Sequence, residues 1–193
     1  MTSPESKKYL ITGLGNIGDE YANTRHNIGF IVLDALALKL KANFISGRHG
    51  AVAQVKYKGK SLILLKPSTY MNLSGKAIKY WLHQEEIPIE NSLVVVDDLD
   101  LPTGALRMKS KGGDGGHNGL NNIIMTLGNE DFCRLRIGVG NDFAKGYQVD
   151  YVLGKWTREE EKIMLERIPL AVDAVLCFVF EGVNTAMNKF NKK

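Results

Sequence analysis

The sequence predicts an α/β protein, a single domain with a mixed, mostly parallel twisted sheet flanked by helices. Three observations carry that prediction. Short apolar runs at 9–12 and 92–96 read as buried strands, the second continuous enough to be covered on both faces. Segments of helical period stand between such runs, an alternation that favours α/β architecture. Finally, 193 residues that are 44% hydrophobic and 24% charged suffice for one full-sized core.

In order, residues 1–8 are expected to be a flexible tail before a domain at 9–193. The run Tyr9-Leu10-Ile11-Thr12 is the first strand. After a polar, glycine-rich turn, Ile28, Ile31, Val32, Ala35, Leu36 and Leu40 fall on one helical face, giving a helix over 27–41. Residues 51–57 and 61–65 form a hairpin across Lys58-Gly59, closed by Pro67. Ser74 is the expected N-cap of a helix through Ile78, Trp81 and Leu82. The central strand at 92–96 runs into Asp97-Asp98, and another strand spans 104–108. A glycine-rich loop at 109–119 leads to a helix carrying Ile123, Ile124 and Leu127, then a strand over 134–139. Thr157 and Glu160 form a capping box for a C-terminal helical region, which Pro169 is expected to kink or divide before Gly182.

Composition narrows the function. A formal charge of +4 permits a nucleic-acid partner without requiring one. Cys133 and Cys177 sit among core-type neighbours and read as reduced thiols of a cytoplasmic protein. MTSPESKK offers no apolar segment for a signal peptide, and the apolar stretch at 170–180 is short and interrupted by Asp173, so no membrane role is expected. Gly13-x-Gly15-x-x-Gly18 spells a dinucleotide fingerprint, but its context fails. Asp19-Glu20 would repel a phosphate, and the helical period begins near Asn27, too late to aim backbone N–H groups at the turn. No cofactor is expected.

The polar residues gather at strand ends. Asn16 follows the first strand, Asn72 the hairpin and Asp97 the central strand, while Asn118 opens a helix. Parallel strands would bring several of these to one sheet edge, where open α/β sheets place their sites. No nucleophile elbow and no zinc motif is present. What remains is a general base acting on water: His26, its tautomer fixed by an aspartate, with asparagine amides to hold a peptide-like group or a developing oxyanion. Asp97, Asp98 and Asp100 invite Mg²⁺, but no further ligands follow at suitable spacing, so no metal is expected. Arg107, Lys109 and Lys111, near Arg134 and Arg136, read either as a solvated edge or as a phosphate grip.

GLGNIGDEYANTRHNIGF, KPSTYMNLSGKA, VVVDDLDLPTGALRMKSKGGDGGHNGL and RLRIGVG together resemble the bacterial-type peptidyl-tRNA hydrolases over nearly the whole chain. Ile17 stands where the family pattern usually has proline, and Asp114 is a variation in the glycine loop. The resemblance implies hydrolysis of the ester joining an N-blocked peptide to tRNA. It makes His26 the base, Asp97 its stabiliser and Asn16 a selector of N-blocked substrates. Tyr21, Tyr70, Asn72 and Asn118 would line the site, with His117 beside it, and Lys109 and Arg136 would hold the 5′-terminal phosphate. The implied partner is peptidyl-tRNA, bound through its acceptor stem and 3′ end by a cytoplasmic monomer. A non-catalytic RNA-binding relative is the alternative, and the intact His26 and Asp97 count against it.

Overall fold

The computed structural model describes residues 7–191. The strands are β1 (Lys8–Gly13), β2 (Ile45–Gly47), β3 (Gly50–Tyr57), β4 (Lys60–Pro67), β5 (Ser92–Asp98), β6 (Leu106–Lys109) and β7 (Cys133–Gly138). They form one sheet in the order β2-β3-β4-β1-β5-β7-β6. The central four, β4-β1-β5-β7, are mutually parallel, whereas β2, β3 and β6 add antiparallel edges.

Helices α1 (Ile28–Leu40), α5 (Arg158–Glu181) and α6 (Val183–Phe190) cover one face, and α2 (Ser74–Gln84) and α3 (Asn118–Leu127) cover the other. The division follows from strand alternation: Leu93 and Val95 of β5 join the core under α1 and α5, Val94 and Val96 that under α2 and α3. All seven residues of β5 are buried, as its continuous apolar run requires. A short α4 (Gln148–Val152) lies outside both layers. Chain leaves β1 to cover one face and β4 to cover the other, so a crevice opens beyond the carboxyl ends of the parallel strands.

The glycines of the opening turn have a packing duty. A Cβ on Gly29 would stand 2.6 Å from the Val95 carbonyl oxygen and would also overlap Leu14 backbone, and one on Gly13 would overlap Gly29. Bare backbone at both positions lets the start of α1 press onto β1 and β5. A three-residue 3-10 turn, Asp19–Tyr21, follows Gly18, and α1 begins at Ile28, which is why the dinucleotide reading fails.

Several local expectations need correction. Most of the tail expected at 1–8 lies outside the described residues, and Lys8 already pairs with Ser61 in β1. The short edge strand β2 and helix α4 were not anticipated. The strand expected from Gly104 starts at Leu106. Ser74 is the first residue of α2 rather than its cap; its hydroxyl donates back to the Met71 carbonyl at 2.8 Å. Pro169 does not divide α5, which runs through it. Pro169 and Leu165 are both exposed, so water can satisfy the Leu165 carbonyl that loses its helical donor. The Thr157–Glu160 capping box forms as expected. No described helix is long and apolar enough to cross a membrane.

Candidate active site

A cleft of about 360 Å³ opens at the carboxyl ends of the parallel strands. Its wall includes Asn16, His26, Tyr70, Asn72, Asp97 and Asn118. His117 and Arg136 line it too.

Asp97, near the end of β5, is the centre. Its side chain is only 2% exposed, and both carboxylate oxygens lie 3.0 Å from His26 Nδ1. Oδ1 is also 2.9 Å from His117 Nε2. Burial alone would push this carboxyl upward, but the two histidines outweigh it and hold Asp97 well below the usual carboxylate range. The acceptor is therefore an anion at working pH.

His26 belongs to a single 3-10 turn, Arg25–Asn27, that leads directly into α1. The turn is pinned to the end of β1 by a reciprocal amide pair: Asn16 N–H donates to Asn27 Oδ1 at 2.8 Å, and Asn27 Nδ2 donates to the Asn16 carbonyl at 2.9 Å. With Nδ1–H given to Asp97, the His26 lone pair sits on Nε2. That tautomer is the one a general base needs.

His117 is the N-cap of α3, and its Nδ1 accepts from the N–H groups of Gly119 and Leu120 at 3.1 and 3.3 Å. An Nδ1 that accepts twice carries no proton, so Nε2 is the atom that donates to Asp97. Sequence reasoning put His117 beside the site but missed this bridge, because a histidine cap resembles any other turn residue.

Asn16 Oδ1 is taken by the Met71 N–H at 2.9 Å. Its Nδ2 is then the group left to donate to a ligand. Asn72 and Asn118 are both exposed on the wall, and Tyr70 is 60% exposed at the rim. Tyr21 does not reach the wall: it closes a separate 3-10 turn, Asp19–Tyr21, and its carbonyl accepts from Thr24.

The basic residues divide by role. Arg136 Nε lies 2.9 Å from Asp98 Oδ2, a pairing held by charge rather than by an aligned hydrogen bond. Its guanidinium fills the space where a Cβ on Gly115 would sit. Arg134 is buried, and its two terminal nitrogens donate to the carbonyls of Gly112, Gly113, Glu130 and Phe132, while its buried Nε has no hydrogen-bond partner. It shapes the glycine loop and is not free to grip a phosphate. Lys109 is exposed on β6 opposite Arg134, three register steps from the row that pairs Asp97 with Ile137. That offset is about 10 Å along the strand.

Residues of α4 and its end were not foreseen: Gln148, Val149, Val152 and Leu153 form the far wall. Nothing in their local pattern marks them, since α4 spans five residues. Among the described residues, His26, Asp97 and His117 are the set that could hold a metal ion, with ligating atoms within 4.8 Å of one another. In the structure those atoms face each other through the two ring protons.

Among the described residues no serine, threonine, cysteine or lysine lines the cleft, and its side chains include an imidazole of the kind that can activate water. Fold and site define an α/β enzyme of the hydrolytic kind. The chain belongs to the peptidyl-tRNA hydrolase family, whose model matches residues 10–193. It is 60% identical over 186 residues to the peptidyl-tRNA hydrolase of Phocaeicola vulgatus, covering 96% of this chain and 100% of the relative. Identity to that of Cytophaga hutchinsonii is 58%, over 96% of this chain and 99% of the relative. The crystal structure of peptidyl-tRNA hydrolase from Acinetobacter baumannii superposes with a TM-score of 0.90 at 39% identity, over 98% of this chain and 97% of that one.

Proposed function

We propose that this enzyme hydrolyses the ester between an N-blocked peptide and the terminal ribose of tRNA, releasing both, with His26 as general base. The observation that carries this reading is the buried Asp97 carboxylate behind His26 Nδ1, which leaves Nε2 as the proton acceptor. Water bound at Nε2 gives up its proton as it attacks the ester carbonyl. The growing imidazolium is stabilised by Asp97, and the ribose oxygen leaves with the proton that His26 returns. The amides of Asn72 and Asn118, exposed on the cleft wall, donate to the oxyanion and to the 3′ end in this reading.

Selection of blocked substrates follows from Asn16. Its Nδ2 can donate to the carbonyl of an acylated amine. A free ammonium has no such carbonyl, and both aspartates on the wall are already engaged, Asp97 by two histidines and Asp98 by Arg136. Desolvating an ammonium there is costly. Lys109 and Arg136, on the flank formed by β6 and β7, supply the phosphate grip for the acceptor stem. The enzyme acts as a monomer in the cytoplasm, where translation supplies its substrate.

The test is incubation of purified protein with N-acetyl-aminoacyl-tRNA and with free aminoacyl-tRNA in ¹⁸O-water. Release of tRNA from the blocked substrate alone, with label in the new carboxylate, is expected. A blocked ester that survives the wild-type protein overturns the reading.

A further inference from the structure

The residue before the base has an elaborate setting that water activation does not itself require. Arg25 is buried, at 7% exposure, and its guanidinium uses three nitrogens. Nε and Nη2 donate to Glu160 Oε1 and Oε2 at 3.1 and 2.7 Å, a bidentate fork. Nη1 donates to the Tyr151 carbonyl at 3.0 Å. The same group lies 4.1 Å from the centroid of the Tyr151 ring and 5.9 Å from that of Trp156. A Cβ on Gly154 would stand 3.0 Å from Nη1, so the glycine gives the head group room.

Backbone contacts run alongside. Arg25 N–H donates to the Gly154 carbonyl at 3.1 Å, and Thr24 bridges to Lys155. Glu160 is shared with its own helix, since Oε2 also accepts the Thr157 N–H at 2.7 Å in the capping box. Tyr151 lies in α4, and its hydroxyl donates to the Val139 carbonyl just beyond β7 at 2.7 Å. One guanidinium thus joins the turn carrying His26, the α4 wall of the cleft and the start of α5.

We propose that Arg25, clamped by Glu160, is a positioning residue that holds the His26 turn against the α4 wall and keeps His26 aligned with Asp97 and the substrate ester. The proposal rests on His26 being the base. A lysine at this position keeps the charge but cannot form the fork and the third bond together. Misplacing a base by about 1 Å costs on the order of 10²-fold in rate, so a partial loosening is expected to cost at least ~10-fold.

Three variants test it: Arg25→Lys, Glu160→Gln, and the double Arg25→Met with Glu160→Met. Glutamine at 160 preserves the capping box, and the double removes both buried charges together, leaving neither unpaired. Each is assayed on N-acetyl-aminoacyl-tRNA beside wild type and His26→Ala, with melting temperature and the downfield proton resonance of His26 Nδ1–H recorded. The expected result is a folded protein with kcat down at least ~10-fold, KM within about twofold and the Nδ1–H resonance shifted or lost. The double should be no worse than the worse single, because the pair acts as a unit. The proposal falls if a folded variant keeps kcat within about twofold of wild type, or loses kcat while the resonance stays in place. It also falls if all three are unfolded at the assay temperature, for the pair would then serve stability. Retained turnover by His26→Ala would instead sink the general-base reading.

Discussion

Asp97→Asn probes the site most sharply, because His117 dictates what the new amide must do. His117 donates from Nε2, since its Nδ1 is occupied by two backbone N–H groups of α3. The amide oxygen must therefore take the Oδ1 position, 2.9 Å from His117 Nε2. The NH₂ group then lands where Oδ2 was, 3.0 Å from His26 Nδ1. The amide N–H now crowds the His26 N–H, whose remaining acceptor is the amide oxygen at Oδ1, 3.0 Å away and shared with His117. Moving the His26 proton to Nε2 relieves that crowding and removes the lone pair the proposed base needs. A lost charge-assisted hydrogen bond contributes about 2 kcal/mol. The wrong tautomer and the missing counter-charge for the imidazolium add about 2–3 kcal/mol more, bringing the fall in kcat to roughly 10³–10⁴-fold. Turnover of N-acetyl-aminoacyl-tRNA measures it. Adding His117→Ala frees the amide to turn over and present its oxygen to His26, so the double variant should recover about tenfold over Asp97→Asn alone. A single variant within about tenfold of wild type, or no recovery in the double, would mean that His117 does not set the amide's orientation toward His26.

Other outcomes follow from separate contacts. Asn16→Ala should narrow the ratio of kcat/KM for blocked over free aminoacyl-tRNA, whatever it does to the absolute rate; an unaltered ratio moves the discrimination elsewhere. Gly29→Ala should destabilise the fold by about 3 kcal/mol in urea titration and slow catalysis as well, because its methyl would wedge α1 away from Leu14 and Val95. A normal midpoint would show that this close approach has slack. Lys109→Ala should raise KM for full-length substrate and lower the slope of log KM against log salt by about 1. Short N-acyl-aminoacyl esters without a stem should be cleaved as before, and equal losses on both would assign Lys109 to the fold.

The central sheet and the place of the cleft were legible because strand ends and polar residues coincide. Asn16 follows β1, Asn72 follows β4, Asp97 lies near the end of β5 and Asn118 opens α3, and parallel pairing of β4, β1, β5 and β7 carries them to one edge. The pairing of His26 with an aspartate was legible as chemistry. The second histidine on Asp97 was not, since it depends on a ring acting as a helix cap. Arg25 and Glu160 are 135 residues apart, and nothing local to either marks the partnership. The role of Arg134 was hidden for a similar reason: a basic residue beside a glycine loop looks alike whether it holds phosphate or the loop's own carbonyls. Tyr21 sits close to Asn16 in the chain, yet the turn at Asp19–Tyr21 keeps it off the wall. Pro169 did not break α5, where it and Leu165 are both exposed, a matter of burial rather than local sequence.

Whether His26 activates water is read directly from kcat for N-acetyl-aminoacyl-tRNA cleavage by His26→Ala, with circular dichroism and melting temperature taken on the same sample. A folded protein whose kcat is lower by at least ~10²-fold is expected, the scale for loss of a general base. A folded His26→Ala that turns over substrate at close to the wild-type rate would contradict it.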